Sequence, residues 1–210
     1  MTKRLTTHDI LAQARPVIPV LAVQHLDDAI PLAEALRDGG LTVLEVTLRT
    51  PAALDVIKAM KTVPGILVGA GTVTKPRQLL PVAEHGADFV VSPGISDSLL
   101  LAAREFSLPF LPGVTTASEL MQAIDMGHRC CKFFPAEVAG GTAMLKSLSG
   151  PFPDITFCPT GGIGPHNVAE YLALPNVQCV GGSWIVPPEL LEKRDWAGIT
   201  ALAKKASRMD

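Results

Sequence analysis

Short apolar, β-branched runs alternate with longer amphipathic stretches from one end of the chain to the other, and that alternation limits the fold more than any other feature. The pattern predicts strands at residues 17–23, 42–48, 66–73, 89–92, 109–112, 129–134, 155–159 and 177–181. It predicts helices after them at 26–37, 51–61, 76–84, 97–105, 117–126, 142–148, 165–172 and 196–206. Strands separated by helix-length crossovers pair in parallel. Eight such units with no linker and no break in composition point to a closed barrel before an open sheet. The expected fold class is therefore α/β, a single-domain (β/α)8 TIM barrel over residues 1–210. An extra N-terminal helix at 7–14 is placed to close its bottom.

Local signals punctuate the helices. Thr50-Pro51 reads as an N-cap with proline at the first helical position. Thr116 and Glu119 have the spacing of a capping box, and Gly86 and Gly127 look like C-terminal stops.

Hydrophobic residues make up 48% of the chain, enough to cover a sheet on both faces. Charged residues are only 18% and the formal net charge is −2, which argues against nucleic acid or an anionic membrane as partner. The first fifteen residues lack the apolar centre of a signal peptide, and no run reaches the length of a membrane span. Four cysteines, Cys130, Cys131, Cys158 and Cys179, lie in strand-like segments without CxxC spacing. They read as reduced, buried thiols of a cytoplasmic protein. Five scattered histidines form no metal-ligand pair, so no metal is expected.

Charges that interrupt buried strands carry the chemical information. In Val43-Leu44-Glu45-Val46-Thr47-Leu48-Arg49 the side chains alternate between faces. Leu44, Val46 and Leu48 suit the helix layer, while Glu45, Thr47 and Arg49 point into the barrel. A carboxylate there is costly unless it is paired or functional. One structural reading is a Glu45–Arg49 ion pair that fixes the strand. Lys132 interrupts the apolar run Cys130-Cys131-Lys132-Phe133-Phe134. Held among apolar groups, its ammonium loses solvation and its pKa falls, as a Schiff-base nucleophile requires. The structural alternative is a lysine that snorkels out at the strand end.

Gly161-Gly162 follows the seventh strand and Gly181-Gly182-Ser183 the eighth. Phosphate sites of such barrels are often built from those two loops, from bare backbone N–H groups and a helix N-terminus. A side chain at Gly162 is expected to push a phosphate away. Gly69-Ala70-Gly71-Thr72 lacks the spacing of a dinucleotide fingerprint and reads as close packing with one inward hydroxyl, Thr72.

Taken in order, GGLTVLEVTLRT (39–50), VGAGTV (68–73), VSPGI (91–95), LPGVTTASEL (111–120), CKFFPAE (131–137), FCPTGGI (157–163) and VGGSWIVP (180–187) resemble the bacterial 2-keto-3-deoxy-6-phosphogluconate (KDPG) aldolases, also known as 4-hydroxy-2-oxoglutarate (KHG) aldolases. The resemblance runs from about residue 16 to about residue 200. It implies that Lys132 forms a Schiff base, that Glu45 is the general acid/base, and that Arg49 holds the keto-acid carboxylate. It further implies that Thr72, Pro93, Phe134 and Thr160 line the substrate pocket. The backbone of Gly161, Gly162 and Gly182, with the Ser183 hydroxyl, matches the phosphate site. A small keto-acid phosphate substrate, a homotrimer, and no cofactor beyond the lysine imine are also implied.

The implied reaction is cleavage to pyruvate and glyceraldehyde 3-phosphate, with KHG cleavage beside it. Three rivals are a preference for the galactonate-derived epimer, a phosphosugar isomerase or epimerase using Glu45 as a base, and a non-enzymatic phosphometabolite-binding barrel. The isomerase leaves Lys132 without a purpose, and a silent barrel would be expected to lack one of the inward charges.

Overall fold

Parallel strands with alternating apolar side chains need helices on one face and each other's side chains on the other, and the chain solves both demands with a curled sheet. A computed structural model describes residues 5–106 and 108–209. Nine strands are found among these residues: β1 (Val17–Leu21), β2 (Val43–Thr47), β3 (Leu67–Gly71), β4 (Phe89–Val91), β5 (Phe110–Leu111), β6 (Gly113–Val114), β7 (Cys130–Phe133), β8 (Thr156–Pro159) and β9 (Val180–Gly182). Every strand pairing is parallel. One sheet runs β5-β4-β3-β2-β1-β9 and a second runs β6-β7-β8. Parallel bridges Phe157↔Val177 and Thr160↔Gly181 link the β8 and β9 segments.

The fifth predicted strand, 109–112, is realised as the two residues of β5, and β6 lies beyond its predicted end. Pro112 has no N–H to offer a ladder, and it separates β5, which pairs with β4, from β6, which pairs with β7. Its carbonyl still accepts from Lys132 N at 2.8 Å. The predicted seventh and eighth strands are consequently β8 and β9.

The helices are α1 (Thr7–Ala14), α2 (Ala29–Asp38), α3 (Ala53–Met60), α4 (Leu79–Glu84), α5 (Asp97–Glu105), α6 (Ala117–Asp125), α7 (Gly141–Ser149), α8 (Val168–Leu172), α9 (Pro188–Glu192) and α10 (Trp196–Ala206). The short α9 escapes the sequence pattern because five residues are too few to show a helical period. Thr116 caps α6 with the reciprocal Glu119 contact expected of a capping box. Thr50 does not cap α3. That helix starts two residues later than a Thr50 cap requires, and the Thr50 hydroxyl donates instead to Val23 O at 2.7 Å.

Strand alternation splits the core in two. Outward side chains such as Leu44, Val46, Val68, Val90, Cys131, Phe133 and Phe157 pack under the helices. Inward ones, among them Ile18, Val43, Phe89, Val91, Leu111, Cys130, Cys158 and Cys179, form a separate cluster that α1 covers with Ile10, Leu11 and Ala14. This inner cluster fills the end at which the strands start and leaves the other end for polar groups. Among the described residues no helix is long and apolar enough to cross a membrane.

Candidate active site

The strands' C-terminal ends gather the inward polar residues. Glu45 and Thr47 lie on β2, Lys132 lies on β7, and Arg49, Thr72, Pro93, Phe134 and Thr160 follow β2, β3, β4, β7 and β8 respectively. All eight, with Val20, line one cavity of about 180 Å³. A second cavity of about 160 Å³ shares Val20, Arg49, Phe134 and Thr160. It extends along Gly161, Gly162, Ile163, Gly181, Gly182 and Ser183. Every site residue expected from the sequence thus borders one of two adjoining spaces.

At the centre, Lys132 Nζ lies 3.0 Å from Glu45 Oε1 and 3.4 Å from Oε2. Both side chains are almost fully withdrawn from solvent, 6% and 3% exposed. The ammonium also sits 5.4 Å from the centroid of the Phe134 ring, a cation–π arrangement. Lys132 neither snorkels outward nor sits in purely apolar company: its nearest charged group is the Glu45 carboxylate. That pairing also decides against the Glu45–Arg49 ion pair.

Arg49 turns to Thr47 instead, donating from Nε to the hydroxyl at 3.0 Å. No carboxylate among the described residues pairs with Arg49. Its side chain is exposed at the mouth, where planar donors meet an incoming carboxylate well.

Three features of the site were beyond reach of the sequence. Gly71 packs against Glu45, so that a Cβ there would come within 2.6 Å of its Cγ and closer still to Oε1. Thr72, the next residue, has φ 59°. The left-handed region is unfavourable for a β-branched side chain, and such strain clusters at functional sites. Val20 borders both cavities and has no chemical signature to mark it.

The glycine loops differ from expectation in one respect. Gly161 and Gly162 are left-handed, with φ 103° and 77°. A Cβ on Gly162 would meet Glu137 Cβ and Cγ at 2.6 Å, and one on Gly182 would enter the Trp184 ring. A side chain at Gly162 would therefore strain the loop and displace it from Glu137, which does not border the cavity, before it met any bound group. The Gly161 loop is also joined by backbone to the segment after β7, with Ala136 N donating to Thr160 O at 2.8 Å and Glu137 N to Gly161 O at 3.1 Å.

Fold and site together define an α/β enzyme built around a buried amine and carboxylate at the C-terminal ends of parallel strands. The chain belongs to the KDPG and KHG aldolase family, whose model matches residues 8–202. It is 53% identical over 209 residues to a 2-dehydro-3-deoxy-phosphogluconate aldolase of Pseudoalteromonas atlantica, covering 98% of this chain and 97% of that one. It is 50% identical to a KHG/KDPG aldolase of Escherichia coli, covering 96% and 95%. Among solved structures, a KDPG aldolase of Legionella pneumophila with pyruvate captured as a covalent carbinolamine superposes with TM-score 0.92 at 51% identity. It covers 95% of this chain and 97% of that one. A 2-keto-3-deoxy-6-phosphogluconate aldolase of Zymomonas mobilis superposes with TM-score 0.94 at 48% identity, covering 98% of both chains.

Proposed function

We propose that this chain is a class I aldolase that cleaves KDPG to pyruvate and glyceraldehyde 3-phosphate, and that it also cleaves KHG to pyruvate and glyoxylate. One observation carries the reading: a buried lysine amine and a carboxylate within 3.0 Å of each other, facing a small cavity. The relatives' names support the substrate, and the captured carbinolamine of the Legionella relative supports the covalent route.

Lys132 delivers its proton to Glu45 and attacks the C2 ketone. Glu45 returns that proton to the carbinolamine hydroxyl, which leaves as water, and the resulting protonated imine accepts the electron pair of the C3–C4 bond as that bond breaks. Glu45 takes the proton of the C4 hydroxyl, so the aldehyde leaves and an enamine remains. Reprotonation at C3 and hydrolysis then release pyruvate and free Lys132. The imine is the electron sink, so this route calls for no metal or other cofactor.

Arg49 binds the keto-acid carboxylate, while Thr72, Pro93, Phe134 and Thr160 shape the space around the reacting carbons. The phosphate is held by the backbone of Gly161, Gly162 and Gly182 and by the Ser183 hydroxyl. Closure of the sheet into one eight-stranded barrel over residues 1–210, with α1 plugging its base, is part of the same reading. The β8–β9 bridges and the near-continuity of β5 with β6 favour it. A cytoplasmic homotrimer remains the expected form of the working enzyme.

The test is reduction with borohydride in the presence of pyruvate. A reduced pyruvyl adduct on Lys132, with loss of activity, is expected. An adduct on Lys146 or elsewhere would overturn the assignment.

A further inference from the structure

Thr47 occupies the last position of β2, and its side chain is buried against the cavity with 2% of the residue exposed. The hydroxyl makes two directed hydrogen bonds. It donates to Leu21 O on β1 at 2.7 Å and accepts from Arg49 Nε at 3.0 Å. A hydroxyl has a single proton and two lone pairs. With the proton committed to a buried carbonyl, only lone pairs remain for Arg49, so the polarity of the contact is fixed.

The guanidinium is planar, and anchoring Nε sets the orientation of the whole plane. Among the described residues Arg49 Nε has this one hydrogen-bond acceptor, and no acidic side chain claims the Nη groups. Those two donors are left for a ligand at the mouth shared by the two cavities. An unanchored arginine on the exposed end of a strand would sample many rotamers and offer its fork only part of the time.

We propose that Thr47 is a positioning residue: it holds Arg49 in the orientation that receives the substrate's carboxylate. The inference rests on the reading of Arg49 as the carboxylate-binding group. Because every keto acid bound here carries that carboxylate, the contribution of Thr47 is felt equally by phosphorylated and unphosphorylated substrates.

The experiment is a double-mutant cycle of Thr47→Val and Arg49→Ala. It reads kcat, KM and the pyruvate concentration that half-saturates borohydride inactivation. Thr47→Val is expected to raise KM and the half-saturating pyruvate roughly 10-fold, the equivalent of one hydrogen bond, with kcat changed by less than about 3-fold. Thr47→Ser, which keeps the hydroxyl, restores wild-type values. In the Arg49→Ala background, Thr47→Val adds less than about 2-fold, because the group it orients is gone. Thr47→Ala gives a second route to the same reading if the valine variant folds poorly. Equal factors with and without Arg49, or a fall in kcat at unchanged KM, would overturn the proposal. Arg49→Ala with normal pyruvate affinity would remove the underlying reading, whereas a large Arg49 effect with silent Thr47 variants would remove the positioning role alone.

Discussion

Gly71 makes room for the Glu45 carboxylate. The two residues lie on neighbouring strands, β3 and β2, where Glu45 is in register with Gly69 and Thr47 with Gly71. The inward face of β3 carries no side chain at either glycine, and the Glu45 side chain reaches over Gly71 toward Lys132.

Gly71→Ala should therefore act on turnover before stability. The added methyl displaces the carboxylate from Nζ, and losing a positioned general acid/base lowers kcat by roughly 10²–10⁴-fold. Lys132 itself is untouched, so pyruvate with borohydride should still label it. Parallel measurement of kcat and adduct mass checks this, and an alanine variant with normal turnover would show that Glu45 works from elsewhere.

Glu45→Gln tests the same group without crowding. The amide keeps the shape over Gly71 but cannot carry protons, so kcat should fall by roughly 10²–10⁴-fold while much of the affinity for pyruvate is retained. Nearly wild-type kcat in steady-state assays would place Glu45 among structural residues.

The phosphate loops are tested by comparing two substrates. Ser183→Ala should cost about 0.5–3 kcal/mol in kcat/KM for KDPG, the range for one hydrogen bond depending on charge. It should have little effect on KHG, which carries no phosphate. Gly162→Val should be far more damaging toward KDPG, since a β-branched residue at φ 77° also pushes on Glu137. Equal losses on the two substrates would mean that these loops shape the whole mouth of the site.

The thiols should be silent in the folded protein. Burial, with Cys158 adding to it, raises the Cys130 pKa to about 11, and burial with Cys130 beside it raises that of Cys131 to about 12. Cys179 is also pushed up, first by its hydrogen bond with Cys158 and then by burial. Thiolate is the reactive form and all four cysteines are buried out of reach of reagent, so alkylation at pH 8 should leave them unmodified until denaturant is added. Rapid stoichiometric labelling of native protein, read by mass spectrometry, would contradict this burial.

The inward faces of β2 and β7 were legible in the sequence, because alternation is a property of the extended backbone itself. It put Glu45, Thr47 and Arg49 on one side of β2 and Lys132 beside Cys130 on β7, and family motifs supplied the loop residues. What alternation cannot say is which inward groups meet. Lys132 and Glu45 are 87 residues apart in the chain and stand on strands that are not neighbours in the sheet. Their approach depends on how the sheet curls and on the register of every strand between them. The choice of Lys132 over Arg49 as partner of Glu45 was therefore made by the tertiary structure. So were the Thr47 anchor of Arg49, the vacancy at Gly71 and the left-handed turn at Thr72. The Lys132–Glu45 pair, the Thr47–Leu21 bond behind the Arg49 anchor and the vacancy at Gly71 are set by distances between segments remote in sequence, where a shift of one residue in register would reverse the face on which a side chain lies.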